Sequence, residues 1–301
     1  MRAMAAIRTH EWGEDARRLH ARLAPVFGAD LAVVFHDRPA GLPLPLPAID
    51  LTDAWLAAEG LVRVADWGWR CGDYSYYALR QARPGYDHYW LIEPDVHFTS
   101  DPSGFFDAFR DEDADALGYR LGRFAGRNRF TERLGDLVPH QAIFALTRLS
   151  GRAIDRLGHI RRQAAATPVS ERSYPNDELF VFSTLAADPA MRLARLEDRA
   201  GSWFEAVQFT PDPDLLLDQV AEGAPAGRVY HPVRARASYI RALAGRLANT
   251  GVLFRSRAGL RALDDEELEE IATLAAGRML AGMKDLRGRV ARRGRPTGGK
   301  A

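Results

Sequence analysis

The sequence predicts an α/β fold: a mostly parallel central sheet flanked by helices, with a helical C-terminal extension. Three observations carry this. Short apolar runs alternate with helical stretches across residues 14–233. The longest apolar run, His88–Phe98, is aromatic and β-branched in its first half, as in a strand buried on both faces. Beyond residue 233 the pattern is helical, at 235–248 and around 264–283. A chain of 301 residues, 47% hydrophobic and 27% charged, buries one sizeable core and has none of the marks of wholesale disorder. The expected division is residues 1–233 as the α/β domain, 234–283 as a helical extension packed on it, and 284–301 as a flexible basic tail.

Taken in order, Leu19, Leu23 and Val26 place a helix over 14–24, and Ala29–Phe35 is a buried strand running into the polar turn His36-Asp37-Arg38-Pro39. The segment 41–51 is too rich in proline for a central strand or a helix. Leu61–Ala65 reads as a second strand, and Tyr74–Ala82 as a helix closed by Arg83-Pro84-Gly85. Within 88–98, Pro94 has no N–H to give a ladder, so pairing should falter between Glu93 and Asp95. Asp101-Pro102 begins a helix backed by Phe105, Phe106 and Phe109. Ala114–Gly118 is a short strand, 119–139 an arginine-rich loop, His140–Thr147 a strand, and Ser150–Leu157 a capped helix. A further helix starts at Pro175-Asn176, and Arg228–Val233 is a last short strand.

Charge and cysteine usage narrow the function. The formal net charge of +1 excludes a uniformly basic surface. Lys284 and Lys300 are the only lysines, so arginine carries the positive charge; guanidinium forks suit phosphate and carboxylate, and a codon bias gives the same composition. Cys71 is the sole cysteine, which excludes an intramolecular disulfide and a cysteine zinc site. The first residues lack the roughly 7–15 residue apolar run of a signal peptide. No stretch approaches the roughly 20 apolar residues that span a bilayer. A cytoplasmic location is expected. Residues 284–300 hold seven basic residues against one acid, which allows a peripheral contact with the inner membrane face, or simply a solvated end.

Glu93 and Asp95 close the longest apolar run. In an α/β sheet ligands gather beyond the carboxyl ends of the strands, and two acids there are costly to desolvate unless paired, hydrogen-bonded or bound to a cation. Mg²⁺ and Mn²⁺ prefer such oxygen ligands, and would neutralise phosphate oxygens; a strand turning into solvent gives the same two acids. His231, in a late short strand, offers an imidazole to Mn²⁺ or packs as a core histidine. Asp177 and Glu178 open a helix, where a carboxylate either serves the helix start or takes a proton from a hydroxyl; about 100° apart on the helix, only one should face the cleft. Asp37 and Asp73 are candidates for ribose or base hydroxyls, Asp73 being equally a helix cap, and Arg80 is a candidate for phosphate. There is no GxGxxG, P-loop, HExxH or GxSxG motif, which lowers the dehydrogenase, P-loop NTPase, zincin and α/β-hydrolase readings. No recognition-helix signature supports specific DNA binding.

The run Gly72-Asp73-Tyr74, followed by Tyr86–Phe98 with its YWLIE-x-DV strand, resembles the nucleotide-sugar region of GT-A glycosyltransferases. In that family the strand ends in a DxD-like motif that holds Mn²⁺ or Mg²⁺ against the donor diphosphate. Here Glu93 stands at the first acidic position and Asp95 keeps the last. The resemblance places Asp37 near the base and Asp73 near the ribose or donor sugar. It also likens His140–Ser150 to the acceptor-facing strand, Asp177 and Glu178 to the acidic helix start that supplies the base of inverting members, and His231 to the late metal-binding histidine. It spans about residues 29–233 and implies transfer of a sugar from a nucleotide-diphosphate donor to a glycan or other hydroxyl acceptor. A sugar-nucleotide nucleotidyltransferase and a non-catalytic binding protein on the same fold are the rivals.

Overall fold

The computed structural model describes residues 1–165, 170–205, 207–250 and 257–293. The chain begins with β1 (Ala3–Thr9), α1 (Glu14–Phe27), β2 (Leu31–His36) and β3 (Ala48–Leu51). Then come α2 (Asp53–Ala58), α3 (Trp67–Arg70), α4 (Asp73–Ala82), β4 (His88–Ile92), β5 (His97–Phe98) and α5 (Ser103–Asp107). The middle holds β6 (Ala116–Arg123), β7 (His140–Ser150), α6 (Gly151–Ala165), α7 (Asp177–Ala186), β8 (Leu193–Arg195) and α8 (Leu196–Ala200). It continues with β9 (Leu215–Leu216), α9 (Leu217–Gly223), β10 (Val229–Tyr230) and β11 (Val233–Arg234). The last helices are α10 (Arg236–Thr250), α11 (Arg257–Leu260) and α12 (Asp265–Arg293).

The predicted class is the one found. A seven-stranded sheet runs in the order β3-β2-β1-β4-β7-β6-β8, and only β7 lies antiparallel to its neighbours. Alternation along the strands feeds two cores. Met4, Ala6, Val34 and Leu91 pack under α4, α6 and α7 with Tyr76, Leu157 and Phe182. Ala5, Ile7, Val33, Phe35, Trp90 and Ile92 pack under α1 and α5 with Leu19, Leu23, Phe105 and Phe109. Strands covered by helices on both faces read as continuous apolar runs, as β2 and β4 do.

Three elements differ from expectation. β1 carries a weak strand signal because three of its seven residues are alanine, which is depleted in strands and is at home here because both faces are covered. Leu61 and Val64 are buried, yet 61–64 joins no strand; β3 occupies the edge beside β2 instead. β6 runs on to Arg123, through the start of the expected loop, and its register shifts at Gly118/Tyr119 next to Arg120, whose φ is 54°.

The chain divides into two compact units, residues 1–210 with 224–231, and residues 211–223 with 232–301. In the second unit β11 pairs with β9, and Tyr239, Ile240 and Leu243 of α10 share a core with Ile271 and Ala275 of α12. Helix α12 continues through 284–293, where a flexible tail was expected. Leu286, Ala291 and the intervening arginines are good helix formers, and the first proline comes only at 296. The tail positions 294–301 lie outside the described residues.

Candidate active site

The two acids stand where the sheet changes direction. β1 has β2 on one side and β4 on the other, both parallel, and the chain visits β2 and β3 before crossing back to β4. The carboxyl ends of β1 and β4 therefore flank a crevice of the kind that binds ligands in open α/β sheets. Glu93 N–H still donates to Ala145 O at 2.8 Å, and Val96 N–H turns back onto Glu93 O at 3.1 Å. The ladder thus ends at Pro94, with Glu93 half-buried and Asp95 buried.

A short pairing delivers the histidine. β10 lies antiparallel to β5 with Tyr230 opposite His97, so the next residue, His231, runs back toward Asp95. Its Nε2 is 3.5 Å from Asp95 Oδ1 and 3.9 Å from Glu93 Oε2, while Nδ1 lies 3.0 Å from Thr210 O. A carbonyl acceptor at Nδ1 fixes a proton there, so the neutral ring would offer its Nε2 lone pair to an ion, the arrangement that orients metal-binding histidines. Burial works against charging this ring, and Asp95 and Glu93 outweigh it, so its pKa is raised.

Glu93, Asp95 and His231 each offer one ligand atom, all within 4.8 Å of one another. Ligands at about 2.1 Å from an ion sit roughly 3–4 Å apart, so small side-chain movements close this set around a divalent cation. The two carboxylates suit Mn²⁺ or Mg²⁺ and the imidazole adds a nitrogen ligand that suits Mn²⁺, so the residues fit the group.

Arg8, at the end of β1, ties the site together. Its Nη1 donates to Glu93 Oε1 at 2.9 Å and lies 3.4 Å from Asp177 Oδ2; its Nη2 donates to Gly68 O and Trp69 O, each at 2.9 Å. Burial opposes the charge, and Glu93 and Asp177 more than restore it, so the Arg8 pKa is raised. Arg8 goes unmarked in the sequence because β1 does. The available signal was an arginine directly after the apolar run Ala3–Ile7, a position that is costly unless acids meet it.

Helix α7 begins at its N-cap Asn176, whose side chain accepts from Leu179 N–H. Asp177 is buried and fully engaged: Oδ2 accepts from Gly72 N–H at 2.9 Å and faces Arg8, while Oδ1 accepts from Glu178 N–H at 2.8 Å. A Cβ on Gly72 would strike Arg8 Nη1 and Asp177 Oδ2, so any side chain here must displace one of them. Burial pushes the Asp177 carboxyl up to about 8, against the pull of Arg8. Glu178 is half-exposed. Burial and then repulsion from Glu93 raise it to about 7, while Phe144 N–H, His231 and Asn176 hold it down. Both acids feel Glu93, and Glu178 also feels His231.

Asp37 lies on the same sheet edge, at the end of β2, with its φ at 52°, its side chain 62% exposed and His36 Nε2 at 3.2 Å. Two other expected donor residues are engaged within the protein. Asp73 is sealed: Arg161 Nε and Nη2 donate to its two oxygens at 2.8 and 3.0 Å, Tyr77 Oη donates at 2.7 Å, and the pair is 0% and 1% exposed. Such a carboxylate, wholly out of solvent, is closed to a ribose. Arg80 sits at the opposite end of the sheet, because α4 starts beside Asp177 and ends beside Pro84. There its guanidinium bonds Pro84 O, Tyr89 Oη and Asp155.

A cavity of about 580 Å³ lies away from these acids, between α6, α7 and the 133–137 segment, lined by Leu134, Ile160, Tyr174, Phe180 and Thr184. Among the described residues no helix is long and apolar enough to cross a membrane.

No protein-family model matches the chain, and no curated protein matches it. Solved structures give distant likenesses. Mouse xyloside xylosyltransferase 1, in its apo form, is 14% identical over 76% of this chain and 97% of its own, with a TM-score of 0.40. A Bacillus anthracis protein assigned as a glucose-1-phosphate thymidylyltransferase is 7% identical over 64% and 86%, at 0.39. A glycosyltransferase involved in glycosylating the major capsid of PBCV-1 is 8% identical over 73% and 87%, at 0.33. Likenesses this distant assign no chemistry, which rests on the residues above.

Proposed function

We propose that the protein is a metal-dependent glycosyltransferase of GT-A type, moving a sugar from a nucleoside-diphosphate donor to an acceptor hydroxyl. The observation that carries this reading is the gathering of Glu93, Asp95 and His231 within 4.8 Å at the point where the sheet changes direction. Four acids, Glu93, Asp95, Asp177 and Glu178, gather around Arg8 and His231, with Arg8 paired to Glu93 and facing Asp177. A divalent cation held by Asp95, His231 and Glu93 Oε2 would supply charge neutralisation for a departing diphosphate.

The remaining residues divide the work. Arg8 keeps Glu93 Oε1, so that Oε2 faces the cluster. Asp37 lies two strands from Glu93 along the edge, about 10 Å at ordinary strand spacing, a span a nucleoside can bridge. Asp177 positions the start of α7 and takes no part in proton transfer, since its oxygens are occupied. Glu178 accepts the proton of the acceptor hydroxyl, with a pKa suited to a general base near neutrality. Attack from the helix side, opposite the departing diphosphate, inverts the anomeric centre. Against a nucleotidyltransferase, the turn after β1, His10-Glu11-Trp12-Gly13, has one glycine and no basic cradle.

Calorimetry with a panel of nucleoside diphosphates, with and without Mn²⁺, tests the reading on wild type and Asp95→Ala. The expected result is metal-dependent binding of one nucleotide, lost in the variant. Absence of binding by folded protein in either condition would sink the proposal and move the weight to a non-catalytic role.

A further inference from the structure

Helix α12 carries a surface that the sugar-transfer reading does not use. Its first half packs against α10 through Ile271 and Ala275. From Ala276 to Asp285 every residue is exposed, so about three turns of helix stand with no side chain buried. Those turns are not polar. Among the described residues seven large apolar side chains are exposed, and three of them fall within five positions here: Met279 at 52%, Leu280 at 49% and Met283 at 60%. With Ala276 they follow the three-and-four spacing that puts residues on one side of a helix. In the sequence Leu286 and Val290 continue that spacing.

We propose that this side of α12 is an interfacial membrane-binding helix that lies in the plane of an anionic lipid surface. Charge selects the occupant. Residues 284–300 carry Lys284, Arg287, Arg289, Arg292, Arg293, Arg295 and Lys300 against the single acid Asp285. An apolar stripe beside basic residues fits a lipid surface, where methionine and leucine enter the acyl boundary and the cations meet headgroup phosphates. A second copy of the chain would instead bring two strongly basic segments together, which repel. The helix cannot cross the bilayer, since no described helix is long and apolar enough. The inference does not depend on the chemistry proposed for the acidic site.

The test is co-sedimentation of the full-length protein with vesicles of phosphatidylcholine alone, and of phosphatidylcholine and phosphatidylglycerol in equal parts, at low and high sodium chloride. Binding should require the anionic lipid and weaken with salt. In the variant Met279→Ser/Leu280→Ser/Met283→Ser affinity should fall by at least about tenfold. The three side chains are exposed, so circular dichroism and melting should match wild type. Met279→Trp should add an indole emission that shifts to the blue with anionic vesicles and stays put with neutral ones. No sedimentation of wild type with anionic vesicles would overturn the proposal, as would binding indifferent to the triple substitution. Concentration-dependent self-association lost in the triple variant, without lipid binding, would reassign the surface to a second copy of the chain.

Discussion

Two arginines meet acids at the heart of the α/β unit, and they end in opposite roles. Arg161 and Asp73 form a closed pair, 1% and 0% exposed, with Tyr77 completing the carboxylate and the Phe180 ring 3.7 Å from the guanidinium. Arg8 holds an open set: Glu93 is 29% exposed and keeps one oxygen turned toward His231. Both constellations include an acid in the first turn of a helix, and composition does not separate them. What separates them is access to solvent. A pair sealed inside the protein holds the structure; an acid with an oxygen turned to the rim of a crevice is available to a ligand.

Cutting the closed pair should have the largest effect. Asp73→Ala leaves Arg161 buried without its carboxylate, a change that costs about 3–5 kcal/mol. Urea unfolding should show that loss, and an unchanged midpoint would mean that the pair is dispensable. Asp95→Ala should leave the midpoint close to wild type while abolishing nucleotide binding that requires Mn²⁺. Equal destabilisation in both variants would erase the contrast.

Glu178→Gln comes next. It should lower turnover by roughly 10²–10⁴ with donor binding retained, as expected on removal of a general base. In wild type, turnover should rise with pH up to about 7 and then level, because the base works only when deprotonated and Glu178 is placed near that value. The variant should lose that limb. A pH profile unchanged in shape would remove Glu178 from the proton-transfer role.

Gly72→Ala sharpens the comparison from the other side. Its methyl must displace Arg8 or Asp177, costing about 1–3 kcal/mol of overpacking. Since Arg8 steadies Glu93, metal affinity measured by calorimetry should weaken too, by less than in Asp95→Ala. Asp37→Asn should do least, reducing donor affinity a few-fold without touching stability, since the side chain is largely in solvent.

How much of this could be read from the chain depends on how local each cause is. β4 was legible because five buried residues run into Pro94, and the break between the acids follows from proline's missing N–H. Helix α7 was legible because Pro175 and Asn176 announce a helix start. The course of β1 was not, since alanine favours a strand only when neighbours cover both of its faces. Arg8 was lost with it. Asp73 looked like a ligand because its fate is decided by Arg161, 88 residues away. Arg80 looked like one because sequence does not show at which end of the sheet a helix finishes. For His231 the chain left two readings open, ion ligand or core histidine, and the pairing of β10 with β5 is the physical reason it reaches Asp95.

The bonds from Arg8 to the carbonyls of Gly68 and Trp69 give the site an optical gauge. Trp69 is 67% exposed, and its backbone shares a guanidinium with Glu93. A cation that draws Glu93 inward pulls on the same guanidinium and shifts the surroundings of that indole. Steady-state emission, compared between wild type and Trp69→Phe during a Mn²⁺ titration, would then report occupancy from a residue that touches no ion, using a fluorophore the chain already owns.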